Sequence, residues 1–167
     1  MKPEVENAIK RGMRVGKNCQ FISPGPNFGS EPYLITIGDN TTVSFDVAFV
    51  THDAGTRVLR NLAADGTKEK QTVIYGEIKI GNNSFIGCRT TILPGVKIGN
   101  NCIIGAGSVV NRDIPDNSVA AGVPCRVICG LDEYKEKHKD DFLYMVGLPD
   151  ERKKSFLLNL FRGKGEK

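Results

Sequence analysis

Two histidines supply the side chains of this chain that are best suited to acid–base chemistry near neutral pH. His52 ends the segment VSFDVAFVTH, whereas His138 lies among Lys, Glu and Asp residues near the C-terminus, where a solvated position is the simpler interpretation. Histidine has an ordinary pKa of about 6.5, which suits a general base that takes a proton from a hydroxyl. The next residue, Asp53, either orients the His52 imidazole or forms a solvent-facing turn.

The composition is that of an ordinary globular protein with one domain. The chain has 167 residues, a net charge of +4 and 40% hydrophobic residues, which argues against a disordered chain or one that coats nucleic acid. Apolar runs long enough to span a membrane, or to form the core of a signal peptide, are missing from the sequence. The five cysteines (19, 88, 102, 125 and 129) form no C-x-x-C pair, which favours free thiols in a reducing compartment, the cytoplasm.

An apolar residue recurs every six positions through most of the chain. The series consists of Val15, Phe21, Ile37, Val43, Phe49, Ile74, Ile80, Ile86, Ile92, Ile98, Ile104 and Val110. Many of these residues are followed by Gly. The residue four positions after each, which is the fifth residue of the repeat, is mostly small or β-branched. Such internal repetition predicts a repeat architecture.

A six-residue period fits neither a helix nor a simple strand, but it fits short strands separated by tight corners. Three such units close one coil of eighteen residues, and successive coils stack at the usual strand spacing of about 4.7 Å. The fourth position of the repeat is expected at the corners, since it holds residues that tolerate positive φ. It reads Asn18, Asn40, Asp46, His52, Asn83, Arg89, Gly95, Asn101 and Gly107. We therefore predict an all-β solenoid, a parallel β-helix of about four coils over residues 15–130.

Segments outside the repeat are expected to form loops and helices. Residues 53–73 form a long polar excursion, and PNFGSEPYLI forms a shorter insert before Ile37. Residues 1–14 carry apolar residues at helical spacing and are predicted to cap one end of the solenoid. Residues 131–167 are predicted to be a helical tail, with helices over 131–146 and 150–162.

The repeats resemble those of the hexapeptide-repeat acyltransferases. Residues 78–128 (IKIGNNSFIGCRTTILPGVKIGNNCIIGAGSVVNRDIPDNSVAAGVPCRVI) are similar to galactoside, maltose and xenobiotic O-acetyltransferases, and residues 28–53 resemble acetyltransferases of surface-polysaccharide biosynthesis. The resemblance implies a left-handed β-helix, acetyl-CoA as co-substrate, and a homotrimer with active sites between subunits. It also implies direct transfer of an acetyl group to a hydroxyl of a sugar or polysaccharide precursor, with His52 as the general base.

The resemblance also implies roles for further residues. Ala106 matches a position that lines the pantetheine arm of the cofactor, although a plain coil corner explains it equally well. Other expected cofactor contacts are Phe85, where many relatives carry Trp, and Cys88, Asn111, Arg112 and Arg126. Asn27, Glu31 and Tyr33 match the region that reaches an acceptor pocket in relatives, and a structural turn is the alternative.

Three other functions compete with this one. The first is acylation of a hydroxylated antibiotic or of an amino sugar. The second is a non-catalytic scaffold, in which His52 is incidental. The third is a zinc enzyme like the carbonic anhydrases of this fold. We exclude it because zinc in those enzymes needs three histidine ligands, whereas the predicted solenoid of this chain contains only His52. We therefore expect no metal.

Overall fold

The computed structural model describes residues 2–162, which divide into two compact units that meet between Lys135 and Glu136. The strands are β1 (Arg14–Val15), β2 (Gln20–Phe21), β3 (Ile35–Ile37), β4 (Thr42–Val43), β5 (Ala48–Phe49), β6 (His52–Asp53), β7 (Ile74–Tyr75), β8 (Ile78–Ile80), β9 (Phe85–Ile86), β10 (Thr91–Ile92), β11 (Lys97–Ile98), β12 (Ile103–Ile104), β13 (Val109–Val110), β14 (Ser118–Gly122) and β15 (Cys125–Gly130). The helices are α1 (Pro3–Lys10), α2 (Thr56–Leu62), α3 (Leu131–His138) and α4 (Asp150–Arg162), with 3-10 turns at Pro32–Leu34, Lys68–Gln71 and Lys139–Asp141.

Most strands of the first unit belong to three parallel sheets, which the chain visits in rotation. The first sheet has the order β1-β3-β8-β11, the second β2-β4-β9-β12-β14, and the third β5-β10-β13. Strand β15 closes the second sheet by pairing antiparallel with β14. One visit to each of the three sheets makes a coil, so the strands stack coil on coil.

The spacing of paired residues gives the length of a coil. Lys79 pairs with Lys97, Phe85 with Ile103, and Thr91 with Val109, an offset of eighteen residues in each sheet. This offset is the one that three six-residue repeats predict. It grows only where the first insert and the long excursion add residues between β1 and β3 and between β3 and β8.

The repeated apolar residues form the core. Those from Ile37 to Phe49 and from Ile80 to Val110 are at most 3% exposed. The residue four positions after most of these apolar residues also faces the core. At several of these positions the buried hydroxyl of a Thr or Ser donates a hydrogen bond to a carbonyl group of the next coil. Thr41 Oγ1 reaches Gly81 O at 3.0 Å, and Ser84 Oγ reaches Gly99 O at 3.0 Å. These bonds explain why small polar residues are tolerated inside.

Ile74 departs from the predicted pattern. It is 56% exposed and pairs with Asp53 in an antiparallel two-stranded ladder, β6 with β7, that belongs to none of the three sheets. The prediction that Ile74 is a core residue is wrong. Its side chain lies on the strand that returns the excursion to the coils, so the sequence period there is coincidental.

The corners follow the predicted positions with one exception. Asn18, Asn40, Asp46, Asn83, Arg89 and Asn101 have φ between 51° and 57°, and Gly95 and Gly107 also have positive φ. The asparagine corners are joined between coils, since Asn83 Nδ2 donates to Asn101 Oδ1 at 2.8 Å. His52, however, lies in the extended strand β6, so the prediction of a corner at His52 is wrong.

The helices partly match the predicted ones. α1 buries Val5 and Ala8 in the core cluster of the first unit. α3 ends at His138, so the predicted helix over 131–146 is too long; α3 has no buried residue to extend an apolar stripe. α4 covers the predicted range 150–162 in the second unit. Within residues 2–162, no helix is long and apolar enough to cross a membrane.

The two isoleucines Ile86 and Ile74 share the same position of the sequence repeat but differ in burial, so they form a matched pair. Ile86 is fully buried, and its replacement by alanine is expected to lower the free energy of unfolding by about 2–5 kcal/mol. Ile74→Ala is expected to cost less than about 1 kcal/mol, because the side chain is more than half exposed. Urea titrations of the two variants measure the difference, and equal losses would contradict the assignment of the core.

Candidate functional site

His52 is placed where the chain leaves the third sheet. After β5, Val50 N still donates to Ile92 O at 2.9 Å, and Thr51 is buried. β6 then pairs with β7, so that His52 faces Tyr75 with ring centroids 5.8 Å apart. Gly76 closes the ladder by donating to Thr51 O, and it lies so close to the next coil that a Cβ there would come within 2.2 Å of Gly95 N. The backbone of His52 is therefore fixed by main-chain hydrogen bonds that flank it, those of Val50 and of Thr51.

A carboxylate from the first insert contacts the imidazole directly. Glu31 Oε2 lies 2.9 Å from His52 Nδ1 and accepts a hydrogen bond from Thr51 Oγ1 at 2.7 Å. An ionised carboxylate can only accept hydrogen bonds, so Nδ1 must carry the proton. In the neutral imidazole the lone pair then lies on Nε2, and this is the form that a general base requires.

The environment of Glu31 favours its ionised form. The hydrogen bond from the Thr51 hydroxyl, and to a smaller extent that from His52, holds the pKa of Glu31 below 4.5, while partial burial acts in the opposite direction. The Glu31 side chain is 13% exposed and that of His52 is 37% exposed. Glu31 is thus an ionised carboxylate that is largely shielded from solvent, whereas the imidazole that it contacts is partly exposed.

The exposed side of His52 faces a cavity of about 560 Å³. The volume is in the range of small-molecule sites. The lining combines a few polar groups with small and apolar residues. It is formed by Asn27, Gly29, Ala48, Phe49, Val50, Thr51, His52, Asp53, Ala54, Gly55, Leu93 and Pro94.

Of the two roles expected for Asp53, the structure shows the turn and not the contact with the imidazole. Asp53 Oδ1 accepts a hydrogen bond from Gly55 N at 2.7 Å, and Thr56 Oγ1 donates to Asp53 O at 3.2 Å. Asp53 therefore forms the turn that starts α2, and the carboxylate that contacts the imidazole is that of Glu31. The family resemblance implied a place in an acceptor pocket for Glu31, and no spacing rule in the sequence links residues 31 and 52.

The other two residues predicted to bind the acceptor separate in space. Asn27 lines the His52 cavity and pairs with Ala48 in an isolated bridge, which extends the third sheet by one residue. Tyr33 is exposed and packs closely against Gly12, at the end of the N-terminal helical segment. Only Asn27 and Glu31 of the three lie at the site.

The residues predicted to bind the cofactor form three separate groups away from this cavity. Cys88 and Ala106 occupy equivalent corners of successive coils, and Gly107 N donates to Cys88 O at 2.8 Å. Arg126 Nη1 donates to Asn111 Oδ1 at 3.1 Å and to Cys125 O at 2.7 Å. Phe85 is half exposed and lines a different cavity, of about 280 Å³, beside the asparagine corners.

Arg112 is exposed and follows Asn111 directly, at the end of the last complete coil. Its position places it beside the Asn111–Arg126 contact. The residues that the structure describes contain no group of three or more His, Cys, Asp or Glu side chains arranged to hold a metal ion.

Comparison with known proteins defines the class to which this fold and site belong. Residues 77–112 match the family model described as bacterial transferase hexapeptide (six repeats). Protein CapG of Staphylococcus aureus is 43% identical over 154 residues, which cover 92% of this chain and 86% of that protein. The chain therefore belongs to the bacterial hexapeptide transferase family.

Two galactoside enzymes extend the comparison. Galactoside O-acetyltransferase of Escherichia coli K12 is 44% identical over 109 residues, 65% of this chain and 49% of that protein, so the aligned region spans about half of its length. A galactoside acetyltransferase solved in complex with coenzyme A superimposes with a TM-score of 0.53 at 30% identity, covering 90% of this chain and 78% of that one. The protein is an acyltransferase of the hexapeptide family.

Acid titration of stability tests the Glu31 contact. Because folding lowers the pKa of Glu31, the contact stabilises the protein above the ordinary value of 4.5, and this contribution is lost as the pH falls through the lower folded value. Glu31→Gln is expected to remove this part of the pH dependence. Urea midpoints measured between about pH 3 and pH 6 for both proteins check it.

The matched control is Glu133→Gln, which removes an exposed carboxyl of α3. This variant is expected to keep the acid sensitivity of the wild type. If Glu31→Gln follows the same acid profile as the wild type, the Glu31–His52–Thr51 contact does not exist in solution.

Proposed function

We propose that the protein transfers the acetyl group of acetyl-CoA to a hydroxyl of a sugar or polysaccharide precursor. The observation that carries this proposal is the imidazole of His52, held at Nδ1 by Glu31 and open to a ligand-sized cavity. The names of the relatives support the chemistry, since the galactoside enzymes are acetyltransferases and one of them was solved with coenzyme A.

In the proposed reaction, His52 acts on the acceptor hydroxyl. Its Nε2 takes the proton as the hydroxyl oxygen attacks the thioester carbonyl, and the C–O bond forms as the C–S bond breaks. The imidazolium then returns the proton to the leaving sulfur. Glu31 stays ionised throughout and stabilises the positive charge on the ring, in the manner of a carboxylate that orients a catalytic histidine. The acetyl group moves directly, without an acyl-enzyme.

The three parallel sheets are inferred to form the walls of a left-handed parallel β-helix, the hand being taken from the family. A homotrimer is also part of the proposal. Within one chain, the residues predicted to bind the cofactor lie at other places than the His52 cavity. A neighbouring subunit that brings its Cys88 and Ala106 corners to His52 would complete the site.

The corner at Ala106 suits the proposed position of the pantetheine arm. Ala106 is exposed, and a Cβ built on the neighbouring Gly107 meets nothing within 4 Å. Arg126 is the proposed contact of the nucleotide end, together with Asn111 and Arg112. Both hydrogen bonds of Arg126 come from one nitrogen and go to uncharged oxygens, so its positive charge remains available to a phosphate.

Replacing each histidine in turn tests the mechanism. His52→Ala is expected to keep acetyl-CoA binding but to lose acetyl transfer by about 10²-fold or more, the scale of a lost general base. Release of free thiol from acetyl-CoA measures transfer over a panel of simple sugars, amino sugars and hydroxylated antibiotics. The panel also decides whether oxygen or nitrogen is acylated.

The control for this test is His138→Ala, which removes the other histidine, in α3. It is expected to leave turnover unchanged. Near-normal turnover in His52→Ala would overturn the mechanism and leave His52 with a structural role only.

A bulky side chain at the proposed cofactor corner tests where acetyl-CoA binds. Ala106→Trp is expected to raise the KM for acetyl-CoA about tenfold or more, equivalent to about 1.4 kcal/mol of lost binding. Because Ala106 is exposed, stability should change little. Ala64→Trp adds the same ring at an exposed alanine of the excursion and should leave this KM unchanged; equal effects would place the cofactor elsewhere.

A further inference from the structure

The excursion after His52 builds a cationic pocket of its own. α2 and the 3-10 turn Lys68–Gln71 enclose a cavity of about 340 Å³ lined by Arg57, Arg60, Asn61 and Lys70. Three of these four side chains are cations that can only donate hydrogen bonds, and the fourth is an amide that can donate as well as accept.

Arg60 provides an independent sign that an anion belongs here. The Nε atom of Arg60 is buried, although the residue as a whole is only partly buried, and it has no hydrogen-bond partner among the residues that the structure describes. A buried guanidinium donor is normally paired, because leaving it unpaired forfeits its hydration without replacement. The planar fork of Arg matches two oxygens of a phosphate, and Lys adds a point charge.

One weak ion pair joins the pocket to an exposed carboxylate. Lys70 Nζ lies 3.4 Å from Asp65 Oδ1, and Asp65 is fully exposed. An exposed pair of this length binds weakly, so Asp65 competes poorly with a ligand held inside the pocket. The arginines come from one face of α2, where residues 57, 60 and 61 are neighbours.

The pocket is tied to the His52 cavity through the start of α2. Asp53 and Gly55 line that cavity, and the turn between them, fixed by Asp53 Oδ1 and by Thr56, leads directly into the helix. Arg57 is five residues from His52, so their Cα atoms are at most about 18 Å apart. This distance limit is compatible with one elongated ligand that contacts both cavities.

We propose that the pocket formed by Arg57, Arg60, Asn61 and Lys70 binds the phosphate or diphosphate of a phosphorylated sugar acceptor. The identity of the acceptor rests on the proposed function, whereas the binding of a phosphate does not. The same chemistry has a second source, the phosphates of acetyl-CoA. The acceptor is favoured because Arg126 is already the proposed contact of the nucleotide phosphates, whereas the turn that leads into α2 lines the cavity where the acceptor hydroxyl is proposed to react.

Calorimetric titration of the full-length protein with inorganic pyrophosphate and with uridine diphosphate tests anion binding without turnover. Arg60→Gln and Lys70→Gln are each expected to weaken binding about tenfold or more. Lys68→Gln is the matched control, since it removes one charge from the same 3-10 turn outside the pocket, and it should bind as the wild type does. Lys70 is exposed at the turn, so Lys70→Gln remains informative if Arg60→Gln fails to fold.

Kinetics distinguish the two sources of phosphate. If the acceptor is the source, Lys70→Gln raises KM for a sugar 1-phosphate about tenfold, while the KM for acetyl-CoA and for the methyl glycoside of the same sugar stays unchanged. A rise in KM for acetyl-CoA instead would overturn the assignment to the acceptor. Equal binding of pyrophosphate by all variants would overturn the site itself.

The outcomes also separate this inference from the proposed function. Transfer to unphosphorylated sugars without pyrophosphate binding would leave the acetyltransferase standing and remove the phosphate site. Pocket-dependent binding of pyrophosphate in a protein that transfers no acetyl group would support the phosphate site and remove the proposed acetyltransferase function.

Discussion

The stacking of one coil on the next, through main-chain hydrogen bonds at an offset of eighteen residues, is the constraint on which the rest of the structure depends. It leaves little room between coils: a Cβ at Gly81 would lie 2.7 Å from the main chain of Gly99. It also makes buried hydroxyls such as that of Ser84 acceptable, because the next coil offers a carbonyl group as acceptor.

The same constraint explains where the site lies. Extra residues can be added only where the chain can leave the stack and return to it in register. The first insert and the excursion both do so, and each carries a functional candidate out of the repeat. His52 lies on the departing strand of the excursion and Glu31 on the first insert, so the stacked coils serve as a rigid support that brings the two together.

The chemistry at this contact follows from a division of roles between the two groups. Thr51 and His52 keep Glu31 ionised, and Glu31 in turn fixes the proton on Nδ1 and leaves Nε2 for a substrate. A cavity that is mostly apolar surrounds the imidazole on one side, and a cationic pocket follows on α2. The polarity of the surface thus changes over a few residues, which suits a ligand with a neutral reacting end and a charged end.

The sequence by itself determined the repeat, the eighteen-residue coil and the corner positions, because each depends on local spacing between residues of the repeat. It failed at Ile74 and at the backbone of His52, where the period continues by coincidence into an antiparallel ladder. Tertiary structure alone decided that Glu31, and not the adjacent Asp53, contacts the imidazole, and that Arg57, Arg60 and Lys70 enclose one pocket. The physical reason is that these contacts join segments far apart in the chain, whose meeting depends on how the inserts fold back onto the coils and leaves no periodic trace in the residues.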